Sequence, residues 1–301
     1  MPNWNDVLQE ISQTPPTDLG GPLDIVRRKY LSRLSDVTGR NSIAYYSGFL
    51  SKPGILGTEI NDEDKNGFML CIHEMDRSKG LDLILHTPGG NIAATHSLVS
   101  YLKQMFGNDI RAIVPQIAMS AGTMIACSCK SILMGKHSNI GPVDPQLDGL
   151  PAIAVKLQFQ TAYEEIIEDP RAAVVWEPIL RQLGPSFLKE CDWAIDWSAS
   201  FVERELAQNM FLGDPDAAER SKAITNRLAG ETNKGHDRHI HIDDCEDIGL
   251  KIERLENDPH LQDAVLTVHH CYMHTLSNSV ATKIVENHMG RAFMKLMRAE
   301  F

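Results

Sequence analysis

Ser120 stands among side chains small enough for a carbonyl group to reach its hydroxyl, in the run Ala118-Met119-Ser120-Ala121-Gly122. A second tight turn, Pro88-Gly89-Gly90, lies upstream. Two glycines let backbone N–H groups face a ligand with no Cβ in the way. A serine hydroxyl beside preorganised N–H donors is what acyl transfer needs: a nucleophile and an oxyanion hole. Taken singly, Ser120 reads equally well as a helix N-cap and Gly89-Gly90 as an ordinary turn. The case for chemistry depends on the chain bringing the two together.

The flanking segments predict that it does. Leu81 to Leu85 is a strand-like apolar run, and Ile92 to Phe106 reads as a helix with Leu98, Leu102 and Met105 at helical spacing. A second apolar run, Ile110 to Ile117, leads into the serine turn; a helix from Thr123 to about Lys130 and a strand from Ser131 to Met134 follow. This is a repeated βαβ pattern, which calls for parallel strands and right-handed crossovers. In such a sheet the strand C-termini share one edge, where ligands collect, so the two turns are expected to be neighbours. The helix after Ser120 would turn free N–H groups and the positive end of its dipole to the same spot.

Three stretches, HTPGG at 86–90, AMSAGTMIA at 118–126 and HSNIGPVDPQL at 137–147, together resemble the serine dehydrogenase proteinase family, which is grouped with signal peptide peptidase A and ClpP in the ClpP/crotonase fold. The likeness is dense from about Asp82 to Leu147 and returns weakly at 236–250. It implies an α/β fold of the ClpP/crotonase kind: a repeated ββα superhelix with a parallel sheet, carrying helical N- and C-terminal additions. It also implies a serine endopeptidase in which Ser120 attacks the scissile carbonyl and the N–H groups of Gly89 or Gly90 and of Ala121 hold the oxyanion. Peptide or protein substrates and homo-oligomers follow from the same resemblance, because related folds enclose their active sites in rings. No cofactor is required, and nothing in the chain resembles a GxGxxG dinucleotide turn.

The general base is open. ClpP-like enzymes carry a histidine before a proline soon after the serine helix, but the matching stretch here is Gly141-Pro142-Val143-Asp144-Pro145. The signal peptide peptidase A branch uses a downstream lysine, and Lys156, between apolar Val155 and Leu157, is the nearest match. Burial would ease loss of its proton, whereas a surface lysine is the plain alternative. The resemblance also points to His236-Asp237, since Asp237 falls where the ClpP pattern places its aspartate, counted back from Gly249-Leu250. Histidine is the default base near neutral pH, and a carboxylate can orient it. Adjacent side chains diverge, so either His236 acts directly or Asp237 orients a base from elsewhere; a solvated polar loop is the plain alternative. His86 is read as shaping the oxyanion loop.

Two other readings stand beside the peptidase. One is a non-catalytic ClpP-fold peptide-binding or assembly module; the other is a crotonase-like enzyme that binds thioester carbonyls in the same hole. The serine in the turn counts against the second. A metal site is disfavoured: neither His236, His239, His241 and Asp243 nor His270 and His274 match a ligand signature such as HExxH.

A formal net charge of −11 argues against a broad nucleic-acid or anionic-membrane surface. No apolar run reaches the ~18–20 residues of a membrane span, and MPNWNDVLQEISQTPP lacks the n- and h-regions of a signal peptide. A cytoplasmic location is expected. The six cysteines, Cys71, Cys127, Cys129, Cys191, Cys245 and Cys271, are expected to be buried free thiols.

Three regions are expected. Residues 1–35 form an N-terminal helical extension, with helices at 3–12 and Leu23 to Leu34 joined by a Pro/Gly linker from Thr14 to Pro22; Arg27-Arg28-Lys29 reads as a solvated face. Residues 36–255 form the protease domain: a first strand from Ser42 to Phe49, a helix from Asp64 to Met75, the βαβ unit, helices near 159–167, 173–183, 185–210 and 216–228, a His-rich loop at 231–241, a helix at 242–248 and a strand near 249–252. Residues 256–301 form a C-terminal segment, mostly helix from Asn257, whose Leu276, Val280, Ile284 and Met297 serve an oligomer interface or core packing.

Overall fold

The computed structural model describes residues 4–18, 20–147, 149–229 and 237–297. Helices α1 (Trp4–Gln13) and α2 (Pro22–Thr38) precede strand β1 (Asn41–Ser47), and α3 (Asp64–Ile72) precedes β2 (Leu81–His86). Then come α4 (Ile92–Phe106), β3 (Ile110–Val114), the short β4 (Ile117–Ala118), α5 (Ala121–Cys127), β5 (Ser131–Met134) and β6 (Asn139–Ile140). A small hairpin, β7 (Gln146–Leu147) with β8 (Leu150–Pro151), opens onto four helices: α6 (Ala152–Glu168), α7 (Ala173–Leu180), α8 (Phe187–Glu205) and α9 (Ala217–Ala229). The chain closes with β9 (Ile240–His241), α10 (Ile242–Ile248), β10 (Ile252–Arg254), α11 (Pro259–Asn278), β11 (Ala281–Asn287) and β12 (Ala292–Leu296).

The main sheet has seven strands in the order β10-β5-β3-β2-β1-β11-β12. Its first five are parallel, while β11 and β12 pair antiparallel at the far side. Helices cover both faces, which is why the inner strands read as apolar runs rather than alternating patterns. The period of two still sorts them: Leu81, Leu83 and Leu85 join the core beneath α4 with Leu98 and Leu102, whereas Ile84 joins the opposite core with Leu31, Leu34 and Val268 of α2 and α11. A second, small sheet, β4-β6-β9, stands beside the C-terminal end of β2 and carries the serine turn.

Two expectations need correction. Arg27 is fully buried and not part of a solvated face. It shares a helical stripe with Tyr30, Leu31 and Leu34, so α2 cannot bury those residues without it. Its guanidinium meets Glu286 of β11 through Nε at 2.5 Å and Nη2 at 3.1 Å, and Tyr272 donates to the same carboxylate at 2.8 Å. Residues 257–301 are expected to be mostly helix, but those described, 257–297, are helical only to Asn278 and then form the β11–β12 hairpin. Leu276 and Ile284 are therefore core residues, with Ile284 in a central strand, and the two do not form an exposed interface with Val280 and Met297. Pairing of β11 with β1 outweighs local propensity here, because it shields both the β1 edge and the buried Arg27. The six cysteines are all free and buried.

Candidate active site

Ser120 sits at the head of α5 with φ 50° and ψ −114°, one of two non-glycine residues at positive φ among those described. Such a conformation costs on the order of 1–3 kcal/mol and persists only where its surroundings over-determine it. They do. The Thr87 N–H donates to Ile117 O at 3.1 Å and the Met119 N–H to Thr87 O at 3.0 Å, which staples the serine turn to the end of β2. Thr123 Oγ1 lies 2.9 Å from both Ala118 O and Gly141 O, and the Gly122 N–H closes onto Met119 O at 2.7 Å.

The glycine turn touches this elbow. A methyl group built at Gly89 would stand 2.7 Å from Ser120 Cβ, 2.8 Å from Met119 O and 3.0 Å from the Ala121 nitrogen. Only glycine permits that approach. Gly90 is gripped from the other side by Ile60: the Ile60 N–H donates to Gly89 O at 2.7 Å and the Asn91 N–H to Ile60 O at 2.9 Å. In a trans peptide the C=O of one residue and the N–H of the next point in opposite directions. With Gly89 O turned to Ile60, the Gly90 N–H faces the cleft. The Gly89 N–H instead donates to Thr87 Oγ1 at 3.2 Å. Neither the Gly90 nor the Ala121 N–H meets a protein acceptor among the described residues. Two free donors thus flank the half-buried Ser120, as an oxyanion hole requires.

These groups open into a cleft of about 380 Å³. Pro145 and Leu147, with Ala194 and Trp197 of α8, form its apolar side, and Gln146 and Glu59 also line it. The sequence did not single out Ile60, Trp197 or Glu59. Ile60 acts through its backbone, which leaves no signature, and Trp197 was indistinguishable from the other aromatic residues of a long helix.

Lys156 of α6 pairs with Asp192 of α8 at 2.7 Å and is half exposed. The hydrogen bond and charge of Asp192 raise its pKa, the opposite of what a neutral base needs. Among the described residues, neither Lys156 nor any histidine lines the cleft. His236 lies outside the described residues. Asp237 is exposed, with its carbonyl 3.0 Å from His239 Nδ1. Registers are informative here. Ala118 pairs with Ile140, and Ile140 with Ile240, so residues 237–239 leave β9 at the edge where Ser120 leaves β4. His86 is fully buried and packs on Tyr46, Phe49 and His269 at 5.1–5.4 Å, away from the cleft. Burial pushes its pKa down to about 3, so it is a neutral packing group beneath the turn. Of the residues weighed as metal ligands, His241 caps α10 with Asp244 and His274 Nε2 contacts Trp4 O at 3.0 Å.

The model of the family described as ClpP-like SDH-type serine proteinases matches residues 23–176. Two uncharacterized proteins of Methanocaldococcus jannaschii are similar: one is 30% identical over 194 residues, 64% of this chain and 60% of its own length; the other is 27% identical over 193 residues, 64% and 59%. The chain thus spans about three-fifths of the length of these relatives. The ATP-dependent Clp protease proteolytic subunit 2 of Thermobifida fusca is 30% identical over 76 residues, 24% of this chain and 37% of that protein. A solved variant of a membrane-bound stomatin-specific protease superposes with a TM-score of 0.41 at 16% identity, covering 68% of this chain and 79% of that one.

Proposed function

The chain belongs to the family of ClpP-like SDH-type serine proteinases, and we propose on that basis that it is a serine endopeptidase working through an acyl-enzyme on Ser120. Ser120 Oγ attacks the scissile carbonyl as the base takes its proton, and the oxyanion receives hydrogen bonds from the Gly90 and Ala121 N–H groups. Gly89 contributes close approach, since its own N–H is engaged by Thr87. Collapse of the tetrahedral intermediate breaks the C–N bond, and the amine leaves with the proton held by the base. Water then attacks the acyl carbon and frees Ser120. No cofactor enters.

The contact between the strained Ser120 elbow and the Gly89–Gly90 turn carries this reading. A thioester-binding site or an inert module would have no use for a serine held at that cost. Of the two bases we favour His236, acting directly, over Lys156. The strand register and the Asp192 pairing of Lys156 support that order. A peptide with apolar side chains suits the wall made by Leu147, Ala194 and Trp197.

A homo-oligomer belongs to the proposal. Its apolar surface lies on α6 to α8, where Tyr163, Ile167, Val174 and Trp193 are exposed, and sedimentation velocity checks it. No helix among the described residues is long and apolar enough to cross a membrane. Six free buried thiols fit a cytoplasmic location.

Intact-mass spectrometry after fluorophosphonate treatment tests the function. One adduct on the wild type and none on Ser120→Ala is expected. No adduct on folded wild type refutes the peptidase and leaves the peptide-binding module as the reading. Lys156→Ala and His236→Ala then assign the base, the true one abolishing the adduct.

A further inference from the structure

We propose that Lys283 is a positioning residue for the oxyanion hole, acting through the backbone of residues 58–61 on the Gly90 N–H; this rests on the serine endopeptidase reading. Lys283 lies in β11, far from Ser120 in sequence and almost wholly buried. Its Nζ donates to Glu59 O at 2.6 Å and to both Asp64 oxygens, at 2.7 and 3.0 Å. Asp64, also buried, accepts the Asn61 N–H at 3.0 Å and the Tyr45 hydroxyl at 2.8 Å. One residue before Glu59, Thr58 O takes the Ser47 hydroxyl at 2.7 Å. The short stretch from Thr58 to Asn61 is therefore clamped on one side by three buried side chains.

On its other side the same stretch grips the glycine turn through Ile60 N–H to Gly89 O and Asn91 N–H to Ile60 O. Those two bonds orient the peptide whose N–H faces the cleft. A lysine ammonium buried at this depth is costly, and an uncharged residue would pack a strand at no such cost. What the ammonium provides is a donor aimed at one backbone carbonyl, held in place by a carboxylate that also fixes the next residue but one. Displacing the stretch by about 1 Å would turn the Gly90 N–H away from the oxyanion, a misplacement worth about a hundredfold in rate.

Separating position from stability needs two variants. Lys283→Met alone leaves Asp64 buried and unpaired, so it lowers stability whatever Lys283 does. Lys283→Met with Asp64→Asn removes that conflict and keeps an acceptor for Asn61 and Tyr45, but it still lacks the donor to Glu59 O. This double variant is expected to melt close to the wild type, to label Ser120 with fluorophosphonate ten- to a hundredfold more slowly, and to lose kcat on a peptide substrate while KM stays within about threefold. Ser47→Ala, which removes one hydroxyl and folds in any case, is expected to slow labelling about threefold. Wild-type labelling in the folded double variant overturns the proposal, and so does unchanged labelling of Ser47→Ala should the double variant not fold. A wild-type protein that never labels overturns the peptidase reading itself, and this inference with it.

Discussion

Replacing Gly90 by alanine adds one methyl group at the point where the turn is most confined. The new Cβ would stand 2.3 Å from Ile60 N, 2.4 Å from Ile60 O and 2.8 Å from Ile60 Cα, whereas ordinary contacts begin at 3.4 Å. All three atoms are backbone, so the clash cannot be relieved by a rotamer change. The turn and the Ile60 stretch must separate by about 1 Å, which lengthens the 2.7 Å bond from Ile60 N to Gly89 O past the normal limit of about 3.2 Å. Gly90 also has φ 154°, in the part of the map that alanine rarely enters. Once the Gly89 carbonyl is released, the 89–90 peptide no longer directs the Gly90 N–H into the cleft. Loss of one oxyanion donor costs about 10²–10³ in rate, or about 2.7–4 kcal/mol. The second-order rate of fluorophosphonate labelling at Ser120, followed by intact mass, reads this directly, with circular dichroism to show folding. Gly21→Ala, where a methyl group meets nothing within 4 Å, is the matched control and should label like the wild type. A folded Gly90→Ala protein that labels within threefold of the wild type would refute the assignment of Gly90 as a donor.

Three further outcomes are expected. Lys156→Ala should label Ser120 within about threefold of the wild type, because it removes only a half-exposed pair with Asp192; loss of labelling would instead make Lys156 the base. Glu286→Gln leaves the fully buried Arg27 with only the part-exposed Asp24, 2.8 Å from Nη2, as an anionic partner and should cost about 3–5 kcal/mol in urea unfolding; a cost below about 1 kcal/mol would contradict the buried pair. Burial holds His86 down to about 3 and pushes His269 well below its ordinary value, while unfolded histidines protonate near pH ~6.5. Below that pH the unfolded chain takes up protons that the folded one refuses, so stability falls from about pH 6.5 downward by ~1.4 kcal/mol per pH unit for each histidine. His86→Phe should flatten the slope between about pH 6.5 and 5 by one such increment, and an unchanged slope would show that His86 accepts a proton in the folded state.

The serine turn, the glycine turn and the strands that bring them together were readable because their signals are local. An apolar run in β2, a period of 3.6 in α4 and small residues at both strand ends all point the same way. Arg27 was misread because a charged triplet on a helix is normally solvated, and only the stripe it shares with Leu31 and Leu34 reveals that it must turn inward. The β11–β12 hairpin escaped for a related reason: Lys283 and Glu286 at inward strand positions break the apolar pattern, and the partners that make them tolerable, Asp64 and Arg27, are more than two hundred residues away. The Ile60 grip on the glycine turn involves backbone atoms only, and no residue type reports it.

The sheet also dictates an order of assembly. Strand β1 is made early, but its second neighbour, β11, is 259 residues beyond Arg27 by the time Glu286 arrives to meet that guanidinium. Until then a chain emerging from the ribosome holds an open strand edge and an Arg27 whose only partner on α2 is the part-exposed Asp24. Long-range closure of this kind is slow, and such intermediates are prone to associate edge to edge. The same late segment brings Lys283 to Glu59 O, in the stretch that grips the glycine turn. The clamp on the stretch that grips the glycine turn therefore closes only after residue 283 has been synthesised, so a chain truncated before β11 would hold Ser120 without that clamp.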